Sequence, residues 1–292
     1  MNSKQPGTAP ADQPTPAVSR RRLGERLRQL RQDRALQLKD VAIWLDLVPS
    51  TVSRIERGSA PTRISYLKVM LDLYGVDDPA VRGDLAHLAR VGQGKDWWTK
   101  LAGPLPNGMD AYLGAEAAAS RIRVFATQVI PGLLRTSDYA AAVIRAEQPG
   151  IRARHADELV SVTLRRQELL SEQQASLHVV LDESCLLRTI GSAEVMAAQL
   201  GHLAATTAGP AVTVQVIRLT EPLAVLAPEF ALLSFPDPTD SSVACTGGIG
   251  GQVTMITRGP DLTALRDAFT TLATAALSPA DSADLIAKLA NA

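Results

Sequence analysis

The spacing of apolar residues changes character early in the chain. Residues 1–19 (MNSKQPGTAPADQPTPAVS) hold four prolines and almost no large apolar side chain. Such a stretch cannot bury enough surface to offset the entropy of ordering, so a disordered tail is expected, closed by Arg20-Arg21-Arg22. From Leu23 the period becomes helical, with Leu23, Leu27 and Leu30 at i, i+4 and i+7. A second helix is predicted near Leu38–Leu45, with Leu38, Val41, Ala42 and Leu45 inward. After a break at Asp46-Leu47, a third runs from about Pro49 to Arg57 and stops at Gly58. Proline in the first helical position and glycine just past the last is the usual asymmetry of helix ends. A fourth helix covers about Ile64–Tyr74, and a fifth about Pro79–Val91, with Val81, Leu85 and Leu88 inward. Five helices predict an all-α domain over residues 20–92. Glycines and prolines then cluster, which places a junction at 93–105.

The remainder, 106–292, mixes periods. Helices are predicted near Met109–Ala119, Ser137–Ala146, Asp157–Leu170, Ala193–Thr206, Asp261–Ala276 and Pro279–Ala290. Strands are predicted at Ile122–Val129, Leu177–Leu181, Val212–Ile217, Phe230–Phe235, Ser242–Cys245 and Gln252–Thr257. Val212–Ile217 alternates with period two, as a half-buried strand should. Helices and hairpin-like strands in blocks predict an α+β domain with a mostly antiparallel sheet.

Charge changes this picture. The chain has 292 residues, and 30 Lys+Arg balance 30 Asp+Glu. Residues 20–68 nevertheless hold twelve basic against five acidic side chains, a net +7, while residues 69–292 sum to −7. A basic front on an acidic rear points to a nucleic-acid contact near the N-terminus. No apolar run reaches the roughly 20 residues that span a bilayer, and no signal-peptide core opens the chain, so a cytoplasmic protein is expected.

Within the basic segment, Val41 to Gly58 reads as a helix-turn-helix. Ala42 is small where two helices cross, Leu45, Val52 and Ile55 turn inward, and Asp46 sits where the turn needs a left-handed residue. Pro49, Ser50, Thr51, Ser53 and Arg54 are left on the outer face or leading end of the third helix. A helix presenting small hydroxyls and one arginine suits a major groove, where Arg54 would pair with guanine. Arg20, Arg21, Arg22, Arg26 and Arg57 are expected to neutralise phosphates or to enter the minor groove as an arm, with a solvated linker the alternative for Arg20–Arg22.

The string Ser53-Arg-Ile-Glu-Arg-Gly58 resembles the lambda-repressor-like (XRE-type) helix-turn-helix family over residues 23–75. By that resemblance Pro49, Ser50 and Arg54 face bases, and Thr51 and Ser53 lie near the backbone. Three positions depart from the family pattern: Leu38 replaces a common Gln, Asp46 a Gly, and Val48 a Ser/Thr cap. The rear also resembles a family. Val129-Ile-Pro-Gly-Leu-Leu-Arg-Thr-Ser-Asp-Tyr-Ala140, Arg166-Gln167, Leu181-Asp-Glu-Ser-Cys-Leu-Leu-Arg188 and Gln199-Leu200 are similar to blocks of actinobacterial regulators. These join an XRE-type domain to a C-terminal DUF5753 domain (Scr1-like, antitoxin-like). The resemblance implies a DNA-binding transcriptional regulator whose rear domain forms a homodimer and senses a ligand or a partner protein. The alternative it offers is an antitoxin-like protein binding a small DUF397-type partner, with DNA binding as autoregulation. Thr163 and Cys245-Thr246-Gly247 depart from that pattern.

Catalytic chemistry finds little support. His87, His155, His178 and His202 show no metal-ligand spacing, so neither a metal nor a cofactor is expected. Cys185 follows Asp182-Glu183-Ser184 and reads as a buried structural thiol rather than a nucleophile. Gly247-Gly-Ile-Gly-Gly251 reads as a hairpin turn and Trp97-Trp98 as packing. Leu133-Leu134 after Pro131-Gly132 would plug the core, and the Tyr139 hydroxyl serves either a pocket or the fold. A protein that is not an enzyme is expected.

Overall fold

The computed structural model describes residues 16–291 apart from 208, 210, 223, 224 and 237–241. Residues 1–15, most of the expected tail, lie outside the described residues. The chain divides into two compact units, Met1–Lys95 and Asp96–Ala292.

The first unit is helical: α1 (Pro16–Asp33), α2 (Leu38–Leu45), α3 (Pro49–Glu56), α4 (Ile64–Leu73) and α5 (Pro79–Gly92). Leu23, Leu27, Val41, Val52, Leu67 and Met70 form its centre, all essentially inaccessible to solvent. The start of α1 departs from expectation. The helix begins at Pro16, so residues 16–19 are not tail and Arg20, Arg21 and Arg22 are helical rather than part of an extended arm or linker. Proline is tolerated in a first helical turn, and the small side chains of Ala17, Val18 and Ser19 bury there without a long apolar run to announce them. The Arg20 guanidinium then donates to the Gly92 carbonyl at 3.0 Å, tying the first turns of α1 to the end of α5.

The second unit opens with a 3-10 turn at Trp97–Lys100, followed by α6 (Met109–Glu116) and β1 (Arg121–Ala126). The chain continues through α7 (Ser137–Glu147), α8 (Ala153–Glu172), β2 (Ser176–Asp182), the single turn α9 (Ser184–Leu187), α10 (Ala193–Thr206) and β3 (Val212–Ile217). β4 (Phe230–Ser234), β5 (Val243–Gly247), β6 (Val253–Ile256), α11 (Pro260–Ala275) and α12 (Pro279–Ala290) complete it. The six strands form one sheet in the order β3-β2-β1-β4-β5-β6. β1, β2 and β3 run parallel, while β1-β4, β4-β5 and β5-β6 are antiparallel. The sheet is therefore mixed, not the mostly antiparallel one expected. The helices between β1 and β2 and between β2 and β3 return the chain to the same end, and such crossovers make neighbours parallel.

Helices cover both faces. On one side α6, α7, α10 and α12 pack on Ile122, Val124, Val179, Leu181, Val214 and Val216. On the other, Leu262, Phe269 and Leu272 of α11 pack on Phe125, Val180 and Phe230. Strands covered twice lose their polar face. β3 is accordingly buried from Val214 to Ile217 and not half-exposed. Gln215 is accommodated inside only because its amide donates to the Ala273 and Leu277 carbonyls at 3.1 and 2.9 Å.

The segment after β1 explains several of the conspicuous sequence blocks. Leu133 and Leu134 are buried. Gln167 donates to the Gly132 and Arg135 carbonyls, both at 2.8 Å. Gln199 donates to the Leu134 carbonyl and accepts from the Thr136 N–H, both at 2.7 Å. The Tyr139 hydroxyl accepts from the Ile130 N–H at 3.3 Å and serves the fold. Buried backbone that is neither helix nor strand must find partners, and these side chains supply them.

Candidate nucleic-acid interface

The geometry between α2 and α3 follows from single residues. Asp46 takes the left-handed conformation, φ 52° and ψ 48°, and its N–H closes α2 on the carbonyls of Ala42 and Ile43. Pro49 opens α3, with Val48 at the cap making no side-chain hydrogen bond. Val52 and Ile55 are 0 % and 2 % exposed. That fixes the rotation of α3, so Pro49, Ser50 and Arg54 project into solvent while Thr51 and Ser53 are half-buried. Arg57 and Arg26 are exposed, and Arg20, Arg21 and Arg22 are partly buried. Arg57 Nε donates to the Ser53 carbonyl at 3.3 Å, and Ser59 closes the helix end through its hydroxyl on the Arg54 carbonyl at 3.1 Å. Arg21 pairs with Glu25 at 3.4 Å.

Two features that hold this helix were not visible as site residues in the sequence. Glu56, at the end of α3, receives a bidentate ion pair from Arg31 of α1, Nε to Oε1 at 2.6 Å and Nη2 to Oε2 at 2.8 Å. The third Arg31 donor goes to the Leu36 carbonyl at 2.7 Å. Both side chains are buried, so one of the twelve cations counted above points inward. Glu56 strengthens the hold of Arg31 on its proton by hydrogen bonding to it, against the effect of burial. The second feature is close approach. A Cβ on Gly24 would lie 2.5 Å from the Ile55 carbonyl oxygen, and one on Gly58 would lie 2.6 Å from Cα of Arg21. Gly58 also has φ +70°, which glycine adopts without strain. α1 thus lies against the end of α3 with nothing between the backbones. Beside this site α2 exposes Ile43 (77 %) and Trp44 (68 %).

The second unit carries a different kind of charge cluster. Arg166 of α8 forms a bidentate pair with Glu116 of α6, both bonds 2.7 Å, and the Tyr112 hydroxyl donates to the same carboxylate at 2.6 Å. Trp97 lines a small cleft beside this pair with Leu113, Ile122 and Leu169. Burial pushes the Cys185 and Cys245 thiols up, away from the thiolate a nucleophile needs. Asp182 accepts from the Ser184 N–H at 2.9 Å, a local turn bond. Among the described residues no group of three His, Cys, Asp or Glu is placed to hold a metal, and no helix is long and apolar enough to cross a membrane.

Comparison with known proteins adds to this geometry. A family described as a helix-turn-helix domain matches residues 22–85. A second, described as a domain of unknown function (DUF5753), matches residues 109–288. The chain belongs to the DUF5753 family. In this DUF5753 protein the helix-turn-helix match spans α2 and α3, and the DUF5753 match contains the whole sheet. The chain is also similar to the HTH-type transcriptional regulator DdrOP3 of Deinococcus deserti. The two are 33 % identical over 110 residues, 36 % of this chain and 78 % of the relative. No solved structure matches.

Proposed function

We propose that this DUF5753 protein is a sequence-specific, DNA-binding transcriptional regulator that acts by binding rather than catalysis. The observation that carries the reading is the rotation of α3. Val52 and Ile55 are buried behind a left-handed turn at Asp46, and Ser50 and Arg54 face outward. In this reading α3 enters the major groove and Arg54 donates a bidentate pair to guanine, worth about 1–3 kcal/mol of discrimination. Arg26 and Arg57 neutralise phosphates, and Arg20–Arg22 lie along α1 beside them rather than forming an arm. The similarity to a curated HTH-type transcriptional regulator supports the same conclusion. A lone helix-turn-helix discriminates weakly, so the chain is proposed to act as a homodimer on half-sites about 34 Å apart. The DUF5753 domain provides the pairing and the sensing.

The test is a duplex selected from random sequence, titrated with wild type and Arg54→Ala by fluorescence anisotropy. Loss of affinity should be greater on the selected duplex than on a scrambled one. Equal losses on both would remove the base-reading role. Light scattering with a gel shift on a two-half-site duplex tests the pairing, and a monomer binding one half-site as tightly as two would refute it.

A further inference from the structure

The DUF5753 domain is acidic, with 14 Lys+Arg against 20 Asp+Glu over residues 96–292. Yet one end of its sheet gathers positive charge. Arg121 and Arg123 of β1 lie on the face covered by α11, and His178 of β2 is the register partner of Arg123. The Arg123 guanidinium carbon sits 5.3 Å above the Phe269 ring of α11. His178 meets the same ring edge-on at 5.1 Å. Arg266, almost one helical turn before Phe269, is exposed, as is Arg121. Nε of Arg123 is buried and makes no hydrogen bond within the described residues. Nor does any carboxylate of those residues form an ion pair with Arg121, Arg123 or Arg266.

Two other buried guanidinium groups are matched by carboxylates. Arg166 has Glu116 and Arg31 has Glu56, each bidentate. At Arg123 the neighbouring charges are of the same sign: burial lowers its proton affinity, and Arg121 and Arg266 lower it further. Like charges gathered on a half-buried donor are destabilising unless a counter-charge joins them. Gln215 also constrains the cluster. Its amide nitrogen is committed to two carbonyls, so its oxygen faces His178 Nε2 at 2.8 Å and that nitrogen must carry a proton. His178 is thus held as a donor toward the sheet interior and cannot supply an acceptor there.

We propose that Arg121, Arg123 and Arg266 form a binding site for a small oxyanion, a phosphorylated or carboxylated metabolite whose charged group rests against Arg123 above Phe269. Arginine suits this task because its planar fork pairs two oxygens at once. The aromatic ring beneath holds the guanidinium flat and limits its rotamers.

The test uses the full chain in phosphate-free buffer at constant ionic strength. Pyrophosphate and citrate are titrated separately, with chloride as the control, and thermal unfolding and titration calorimetry are read. One of the two should give a saturable upward shift of about 5 °C or more at a hundredfold excess over its Kd. Which of them does so distinguishes phosphate from carboxylate recognition. Arg266 is exposed, so Arg266→Gln should keep the fold and weaken binding about tenfold, and Arg123→Gln should abolish saturation. The proposal fails if neither anion exceeds chloride, or if Arg266→Gln responds as wild type does. It also fails if Arg266→Gln lowers affinity for duplex DNA while neither anion binds, since the cluster would then serve a nucleic-acid backbone.

Discussion

The ion pair between Arg31 and Glu56 makes a demanding prediction. Arg31 is a buried residue, 8 % exposed, and replacing Glu56 by leucine leaves its guanidinium with a single carbonyl partner, that of Leu36. Stranding one member of a buried pair costs about 3–5 kcal/mol. A domain of roughly 75 residues has about 4–11 kcal/mol in total, so the single variant should lose a large share of it. At about 4–8 °C per kcal/mol for a domain of this size, the unit should melt at least about 12 °C earlier. Arg31→Met should behave alike. The double variant, Arg31→Met with Glu56→Leu, leaves no stranded charge and should recover at least about 2 kcal/mol relative to the sum of the singles. The assay is thermal unfolding of the full chain, with amide exchange in α1 and α3 assigning the transition. If the two single losses simply add in the double variant, the pair is not coupled. The account of how α1 holds the end of α3 would then be wrong.

Three further outcomes are expected. Gly24→Ala drives a methyl into the Ile55 carbonyl 2.5 Å away, and should cost about 1–3 kcal/mol in unfolding experiments and weaken DNA binding through displacement of α3. The Tyr74 hydroxyl is buried without a hydrogen-bond partner among the described residues, so Tyr74→Phe should be neutral or stabilise by up to about 1 kcal/mol in denaturant titration. Burial raises the proton affinity of Glu229, opposed by Arg135 and reinforced by Glu147. The folded chain therefore loses stability as pH rises through the ordinary carboxylate range toward that raised value. Glu229→Gln should raise Tm at pH 7, with the gain vanishing below about pH 4.

What the sequence made legible was mostly local. Leu23, Leu27, Val41, Val52 and Ile55 repeat at helical spacing and are buried together, and Asp46 occupies the left-handed position its place in the turn required. The start of α1 escaped because Ala17, Val18 and Ser19 are too small to signal burial and four prolines dominate the stretch before Arg20. Strand order escaped for another reason. β1 pairs with β2 across fifty residues and with β4 across more than a hundred, and no periodicity within a strand names its partner. Arg31 and Glu56 are 25 residues apart, and a count of charges does not distinguish a buried pair from solvated ones. Gln167 and Gln199 stand in blocks that resemble a family, but only their carbonyl partners reveal what they do.

The edge of the sheet at β3 has a consequence for self-association. At Val216 the outward N–H donates to the Ser282 hydroxyl at 3.0 Å, and the carbonyl accepts from the Leu277 N–H at 2.9 Å. Leu277 in the link from α11 and Ser282 in the first turn of α12 therefore occupy the hydrogen-bonding positions that a neighbouring strand would need there. A second copy cannot extend the sheet continuously past Val216. Docking by helix surfaces would leave Ser282 in place, whereas growth from this edge would first have to unlatch α12.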